Sequence, residues 1–291
     1  MAMDNTMGIV WALAAAIMAA FTGVLAARPL RHMGLMSATL LTNVFNMLVL
    51  ALFGWWEYEP EDVTLEGMLW FALLGVTAYS YGRLVYYKAI DAIGPPRLMT
   101  LMSTSPLLSL TLAVLFLGEQ PGPAVLGGTG LVVAGVILVS YEPARGRWFQ
   151  PAILWGFASA ISLGVSVFIR KKGLDAMPNI ALTVAWSNMV SIPIIYSLRY
   201  LSPPALFDWG PRWAVVTIIL VGVLNSGNQL LYNLAIINAE VSVVGPIIAS
   251  MPIFSVVFTV LMLRDMTRVR PRLVVGVCVT VAGMAAVALG R

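Results

Sequence analysis

The chain has 291 residues, of which 60% are hydrophobic and only 10% are charged, and its mean hydropathy is +0.90. Soluble globular domains carry about 25% charged and about 45–50% apolar residues, so this composition excludes a soluble protein. The net charge of +4 does not indicate a nucleic-acid partner, because the 17 Lys and Arg residues lie mainly in short connectors between apolar segments.

Apolar segments bounded by charges, Pro or Gly follow one another along the whole chain. A transmembrane helix needs about 20 mostly apolar residues, and these segments lack the alternation typical of barrel strands. In chain order the predicted spans are residues 8–27, 35–54, 67–90, 97–117, 123–141, 151–169, 179–198, 212–236, 241–263 and 271–289. The predicted fold class is an all-α integral membrane protein with ten transmembrane helices.

The last five predicted spans repeat the first five. WALAAAI in the first span recurs as WGFASAI in the sixth, and RLVYYKAI in the third recurs as QLLYNLAI in the eighth. Because five is odd, the second copy must enter the membrane from the opposite side. The sequence therefore predicts an inverted repeat of two five-helix halves, residues 1–146 and 147–291. Inverted repeats place substrate sites near the midplane, between the halves.

The third, fourth and fifth spans carry a characteristic pattern. An aromatic-rich span precedes one with a central proline (TLMSTSPLLSLTLAVLFLGE) and a Gly-rich one (GGTGLVVAGVILV), and the second half repeats this order. In this pattern the chain resembles the EamA-type transporters of the drug/metabolite transporter superfamily. The resemblance implies a bacterial-type inner membrane location and, most commonly, export of amino acids or similar amphiphiles. The usual Gly-Glu pair is replaced in the second half by Arg264 and Asp265.

The even number of predicted spans places both termini on the same side of the membrane. Most basic residues lie in connectors on the opposite side, which favours termini outside the cytoplasm. The family resemblance instead implies cytoplasmic termini, so the absolute orientation stays open. In this assignment Arg170, Lys171 and Lys172 belong to the connector after the sixth span.

The stretch TAYSYGRLVYYKAI places a permanent charge well inside the third span. Arg83 shares one helix face with Tyr79, Tyr86 and Tyr87, at i, i+4, i+7 and i+8 spacing. Three interpretations stay open. The side chain extends to lipid headgroups, it bonds to carbonyls freed near a proline or on a neighbouring helix, or it faces a cavity and binds a carboxylate or phosphate.

The matching part of the eighth span, NSGNQLLYN, is the most amide-rich stretch of any predicted span. Asn225, Gln229, Tyr232 and Asn233 share one face there. Each unpaired amide in hydrocarbon costs several kcal/mol, so these side chains must face other helices or a wet cavity. We expect this face to meet that of Arg83 and to bind substrate, although hydrogen bonds between helices alone would also satisfy it.

Other polar, aromatic and methionine side chains are further candidates for the wall of a cavity; these are Trp11, Trp155, Asn43, Asn188, Trp186, Met102 and Ser103. Trp near a span start is also an ordinary interface anchor, and Met in an apolar helix is also ordinary packing. Pro106 and Pro252 are predicted to kink spans four and nine in mid-helix, as hinges for alternating access.

Acidic residues all fall in connectors or at span ends, and the chain has one His and one Cys. An intramembrane enzyme would need a nucleophile with a base, a metal cluster or paired carboxylates, so an enzyme is not expected, nor is a metal or cofactor. Proton-driven carriers normally keep an ionisable Asp, Glu or His inside the bundle. A facilitator, an exchanger or coupling through the substrate's own charge is therefore expected.

The sequence as a whole predicts a secondary transporter of small amphipathic organic metabolites, either amino acids or organic anions, that exports or exchanges them by alternating access. The alternative is a lipid or lysolipid flippase in which Arg83 holds a phosphate headgroup. The expected partners are a small-molecule substrate with an anionic group and membrane lipids, without nucleic acid. The oligomeric state, a monomer included, stays open.

Overall fold

The computed structural model describes residues 5–56, 63–105, 123–140, 151–238, 247–248, 250–263 and 271–289. Nearly all of them are helical, and no strand occurs among these described ranges. The helices are α1 (Asn5–Ala27), α2 (Leu35–Trp56), α3 (Leu65–Ile93), α4 (Pro95–Met102), α5 (Pro123–Ser140), α6 (Ile153–Ala176), α7 (Ile180–Ser197), α8 (Arg212–Asn238), α9 (Met251–Met262) and α10 (Pro271–Leu289). The predicted all-α class is confirmed for this part of the chain.

Six of the described helical segments are long and apolar enough to cross a membrane; they are Met7–Arg31, Leu35–Trp56, Leu65–Ile93, Ile153–Leu174, Ile180–Tyr200 and Arg212–Ala235. Two shorter apolar helices are Met251–Met262 and Pro271–Gly283. Large apolar side chains such as Leu52, Phe53 and Leu69 are exposed on the outside of these helices. Water would not tolerate so much apolar surface, whereas lipid chains solvate it.

Local sequence signals begin and end the helices. The Thr64 side chain accepts a hydrogen bond from the Gly67 amide (3.1 Å), and the Asn179 side chain accepts one from the Leu182 amide (3.0 Å), as N-caps do. Gly94 ends α3 with a φ of 80°, in a region that residues other than glycine rarely adopt. Two prolines follow at the start of α4, so α3 and α4 join without a loop.

The helices pack in reciprocal pairs. Helix α1 lies against α8 and α9, while α6 lies against α3 and α4. Helix α2 packs on α7 and α8, and α7 also contacts α3. The remaining pairs are α4 with α9 and α5 with α10. If α1 to α5 are exchanged with α6 to α10, each of these contacts becomes either itself or another contact of the same set.

Helix α6 is longer than predicted. The predicted sixth span ends at residue 169, but the helix continues to Ala176 and includes Arg170 to Lys172. Assignment of Arg170 to a connector is therefore wrong. Arg and Lys have high helix propensity, so a run of them does not by itself end a helix.

The predicted mid-helix kink at Pro252 takes another form. Helix α9 begins at Met251, so Pro252 lies in its first turn, where its missing amide breaks no helical hydrogen bond. The break comes just before it, because the Ser250 amide bonds to the Ile247 carbonyl (3.1 Å) in a turn. A turn also follows α4, where the Thr104 amide bonds to the Leu101 carbonyl (3.0 Å). Pro106 lies outside the described residues.

Candidate functional site

Helix α3 changes its winding in the middle. Residues Gly75–Gly82 form a π-helix, and the Arg83 amide that follows bonds to the carbonyls of Ala78 and Ser80. The Tyr79 carbonyl lies between those two and accepts a hydrogen bond from Asn43 Nδ2 of α2 (2.9 Å). Segments of π-helix often occur at functional sites. Here the segment leads directly into the arginine that the sequence singles out.

Arg83 points into the bundle and is 9% exposed. Its Nη2 donates to Asn225 Oδ1 of α8 (3.1 Å), and its Cζ lies 5.2 Å from the centroid of the Tyr79 ring. Its Nη1 is buried and has no hydrogen-bond partner among the described residues. This geometry disfavours an arginine that extends to lipid headgroups, and it leaves Nη1 without an acceptor in the part of the chain that the structure describes.

A second arginine joins the same site. Arg170 of α6 is 7% exposed, and its Nη1 donates to Asn233 Oδ1 (3.2 Å). Its Nη2 donates to Gln229 Oε1 (3.1 Å) and to the Tyr79 hydroxyl (3.2 Å). Its Cζ also lies 5.8 Å from the Tyr232 ring centroid. Tyr79 therefore contacts both guanidinium groups, one on its ring and one at its hydroxyl.

The sequence analysis missed Arg170 because two lysines follow it and suggest a connector. A signal was nevertheless present. Ser162, Ser166 and Arg170 are spaced four residues apart, and all three are buried on one face of α6. When a polar helix face extends as far as a charged residue, that charged side chain is also expected to point into the bundle.

The amide-rich face of α8 meets both arginines. Asn225 accepts from Arg83, whereas Gln229 and Asn233 accept from Arg170. Asn225 and Gln229 retain partial exposure, while Asn233 is fully buried. The structure thus brings the two polar faces that the repeat relates into direct contact.

Asn46 of α2 is a further member that the sequence analysis did not name. It is fully buried, and its Nδ2 donates to Asn225 Oδ1 (3.0 Å), the same oxygen that accepts from Arg83. Its own Oδ1 accepts from Ser226 Oγ (3.0 Å). Asn46 lies three residues after Asn43 on the same helix face, which is the only signal the sequence offers for it.

Tyr86 and Tyr87 lie beside Arg83, and no hydrogen bond to it is described. Tyr87 is buried, and its hydroxyl shares a 2.6 Å hydrogen bond with Thr42 Oγ1. Tyr86 packs against Met99, and its ring centroid lies 5.8 Å from that of Tyr87. The two rings thus form an aromatic and methionine-lined wall next to Arg83.

Of the amide and tryptophan candidates on spans two and seven, Asn43 and Trp186 tie helices together. Asn43 Nδ2 bonds to Ser191 Oγ (2.7 Å) as well as to α3, and Trp186 Nε1 donates to the Met68 carbonyl (3.0 Å). Asn188 Nδ2 donates to the Val184 carbonyl of its own helix (2.7 Å). Asn43 therefore supports the site through the backbone of α3, whereas the described hydrogen bonds of Trp186 and Asn188 lie elsewhere.

The remaining candidates lie away from the arginine pair. Trp11 packs with Ala235 and Ile248 in a small apolar cluster, and Trp155 is 43% exposed on the surface. Met102 packs against the main apolar core, and Ser103 Oγ bonds to the Met99 carbonyl of its own helix (3.0 Å). None of the described contacts of these four residues reaches Arg83 or Arg170.

The chain matches proteins of known families along its length. The model of the EamA-like transporter family matches residues 6–141 and 150–289. A solved crystal structure of another protein superposes with a TM-score of 0.68 at 18% identity, over 96% of this chain and 95% of that one, which shows a shared fold.

Two curated relatives are plant transporters. Phosphoenolpyruvate/phosphate translocator 1 of Arabidopsis thaliana chloroplasts is 27% identical over 155 residues, which is 50% of this chain and 34% of the relative. The triose phosphate/phosphate translocator of non-green plastids of Brassica oleracea var. botrytis is 26% identical over 155 residues, 50% of this chain and 35% of the relative. The matched stretch spans about a third of these curated relatives.

Family membership confirms the predicted resemblance and the prediction of a transporter in place of an enzyme. The multi-pass membrane class follows from the same match together with the apolar helices. The chain belongs to the EamA-like transporter family, within the drug/metabolite transporter superfamily.

Proposed function

We propose that the protein carries a small organic anion, whose anionic group binds between Arg83 and Arg170 beside Tyr79. One observation carries this proposal. Both guanidinium groups are buried within the membrane-spanning part of the protein, and their described contacts are to neutral oxygens and aromatic rings, with no carboxylate among them. Arg83 Nη1 also has no hydrogen-bond partner within the described ranges, so it is available for a ligand.

The electrostatics favour an anion at this place. At an effective dielectric constant of about 20, two like unit charges repel by roughly 4 kcal/mol at about 4 Å and by less at greater separation. Burial adds a desolvation cost of several kcal/mol for each uncompensated ion. Neutral amide oxygens offset only part of that cost. A carboxylate or phosphate would neutralise the pair, and its oxygens suit the planar fork of a guanidinium.

The same cost supports exchange as the mode of transport. An empty carrier would have to pass through its occluded state with two uncompensated cations, whereas a loaded one would not. Net movement of the empty form should therefore be slow, and a second anion should be needed for the return step. The absence of an acidic residue inside any predicted span fits this mode, because proton-driven carriers normally use one.

The proposed scaffold is a ten-helix inverted repeat of residues 1–146 and 147–291 that works by alternating access. The reciprocal helix contacts support it. The site also joins the two halves, because Arg83 bonds to Asn225 and Arg170 bonds to Tyr79 across the boundary. A change of access would break or remake these bonds. The turns before Pro252 and after α4 are the proposed bending points.

The plant relatives support an anionic substrate, since both are named as translocators of a phosphorylated metabolite and phosphate. Amino acids stay within the proposal because their carboxylate offers the same chemistry to Arg83. The proposed location is a bacterial-type inner membrane, with both termini on one side.

The test is ligand-induced stabilisation of the purified protein. Melting temperatures should be measured with phosphoenolpyruvate, inorganic phosphate, glutamate and lysophosphatidic acid. Arg83→Lys should lower the apparent affinity for the stabilising anion by about tenfold or more, because it removes the bidentate fork. It should change the melting temperature of the empty protein little, because Arg83 has a single described hydrogen bond.

Arg170→Lys should behave differently. It should lower both the affinity and the melting temperature of the empty protein, because three described hydrogen bonds depend on the guanidinium. Arg199→Lys, at an exposed position after α7, is the matched control and should change neither. Equal loss of stability and affinity in Arg83→Lys would indicate a structural arginine. Stabilisation by lysophosphatidic acid alone would favour a lipid flippase.

A further inference from the structure

The arrangement around Arg83 assigns a role to a residue that does not itself reach the proposed ligand. We infer that Asn46 is a positioning residue, which sets the orientation of the Arg83 guanidinium through Asn225, while Asn43 holds the backbone from which Arg83 projects. This inference rests on the proposed anion site and names the residues that determine its specificity for anions.

The side-chain part of the arrangement converges on one atom. Asn225 Oδ1 accepts a hydrogen bond from Arg83 Nη2 (3.1 Å) and another from Asn46 Nδ2 (3.0 Å). Because Asn46 donates to that oxygen, the Asn225 amide cannot rotate to present its NH₂ group to the guanidinium without losing the bond. Ser226 Oγ fixes Asn46 in turn by donating to its Oδ1 (3.0 Å). The plane of the Arg83 guanidinium is therefore set from α2 by way of α8.

The backbone part depends on the same face of α2. Asn43 is fully buried, and its Nδ2 donates to the Tyr79 carbonyl (2.9 Å) and to Ser191 Oγ of α7 (2.7 Å). The Tyr79 carbonyl belongs to the π-helical segment that ends at Arg83. One helix thus holds both the backbone before Arg83 and the acceptor of its side chain.

This placement has a chemical consequence for an anion carrier. Bidentate binding of a carboxylate or phosphate requires a guanidinium that is held within a narrow range of angles. Asn46 is neutral, so it orients Arg83 without neutralising it and leaves the charge for the substrate. Residue 46 and Arg83 both contact the Asn225 side-chain oxygen. A carboxylate at position 46 would therefore lie close to the guanidinium and act as its counter-ion.

The test compares Asn46→Asp with Asn46→Ala in the full-length protein. Asn46→Asp should lower the affinity for the stabilising anion, measured with phosphoenolpyruvate and inorganic phosphate, by about tenfold or more. Its melting temperature without ligand should stay unchanged or rise. Asn46→Ala should raise the KM for transport of the anion about three- to tenfold and affect the maximal rate less. A role in packing alone would lower stability without this split.

A second readout does not depend on any ligand. In the R83Q background, Asn46→Asp should lower the melting temperature by several degrees, because a buried carboxylate then lacks its cation. The effect of Asn46→Asp on the melting temperature therefore depends on which residue stands at position 83. Thr39→Val on the same helix is the control, since Thr39 is fully buried and its one described side-chain hydrogen bond is to the Leu35 carbonyl (2.8 Å) of α2. It should leave the affinity unchanged.

The outcomes separate this inference from the proposed function. Equal melting shifts for Asn46→Asp with and without R83Q, or a wild-type anion affinity in Asn46→Asp, would overturn the role of Asn46. Failure of all the anions to stabilise the wild-type protein would overturn the proposed function instead. In that case, the melting shifts of Asn46→Asp in the wild-type and R83Q backgrounds would still decide whether Asn46 acts on Arg83.

Discussion

Tyr79 is the residue around which the two cations are organised. Its ring lies beside Arg83, its hydroxyl accepts from Arg170 and its carbonyl accepts from Asn43. These three contacts join helices α2, α3 and α6 at one residue that is 2% exposed. Such a residue links the positions of both arginines, so a change at Tyr79 should reach each of them by a separable route.

Substitutions at Tyr79 can separate those routes. Tyr79→Phe keeps the ring for Arg83 but removes the acceptor for Arg170, and a hydrogen bond to a charged group contributes about 1.5–3 kcal/mol. We expect the melting temperature of the empty protein to fall by a few degrees. Tyr79→Leu should lower it further, because it also removes a cation–π contact of about 0.5–2 kcal/mol.

Thermal unfolding with Tyr81→Phe as the control measures this effect. Tyr81 lies on the same segment but is 57% exposed, so its substitution should change little. If Tyr79→Phe and Tyr79→Leu lower the melting temperature equally, the ring contributes nothing to holding Arg83.

Among the elements, α3 and α6 together build the site. The π-helical segment of α3 is held from outside, because Ser162 Oγ of α6 donates to the Thr77 carbonyl (3.1 Å) and Asn43 donates to the Tyr79 carbonyl. Gly82 permits this approach, since a Cβ there would collide with Ser162 Oγ. The winding of α3 is therefore a product of its neighbours as much as of its own residues.

Helices α5 and α10 form a close pair in which glycines set the distance. A Cβ at Gly135 would collide with Thr280 Oγ1 and lie 2.6 Å from the Thr280 amide nitrogen and 2.8 Å from the Gly276 carbonyl. Backbone atoms cannot move aside cheaply. Gly135→Ala should therefore destabilise the protein by about 1–3 kcal/mol.

Gly130 of α5 supplies the matched control for this pair. A Cβ at that position would meet nothing within 4 Å, so Gly130→Ala should be neutral or slightly stabilising. The comparison uses thermal unfolding of both variants. Equal effects of the two substitutions would show that helix propensity, and not the distance between α5 and α10, decides the outcome.

At the scale of the whole molecule, the proposed exchange makes a prediction about energy coupling. In vesicles that contain the purified protein, uptake of a labelled anion should rise several-fold when the same anion is present inside, because the loaded carrier returns faster than the empty one. Collapse of the pH gradient at constant substrate charge should leave the rate unchanged. Loss of uptake on that collapse would contradict exchange and indicate proton coupling.

Arg83→Lys vesicles are the control for this measurement. A carrier that loses the bidentate fork should lose stimulation by internal anion at low concentration and recover it at high concentration. Stimulation that is insensitive to Arg83 would place the anion site elsewhere in the molecule.

Hydropathy and the repeat by themselves determined the membrane class and the most polar faces of α3 and α8, and the pattern of spans three to five carried the family resemblance. The polar faces can be recognised from sequence because a charge or an amide inside an apolar span is costly wherever the helix packs. Arg83 and Gln229 therefore stand out in the sequence alone. The predicted position of Pro252 in mid-helix was wrong. A proline disturbs the helix that precedes it, and the local sequence does not indicate where the next helix begins.

Only the tertiary structure decided which oxygens the arginines meet. Arg170 follows an apolar span and precedes two lysines, and in the local sequence only its four-residue spacing from Ser166 and Ser162 separates it from a connector charge. The rotation of α6 against α3 and α8 turns it inward to Tyr79, Gln229 and Asn233. Asn46 acquires its partner in the same way, from a helix far along the chain. Helical periodicity defines a face, but the helix that covers that face depends on the packing of the whole bundle.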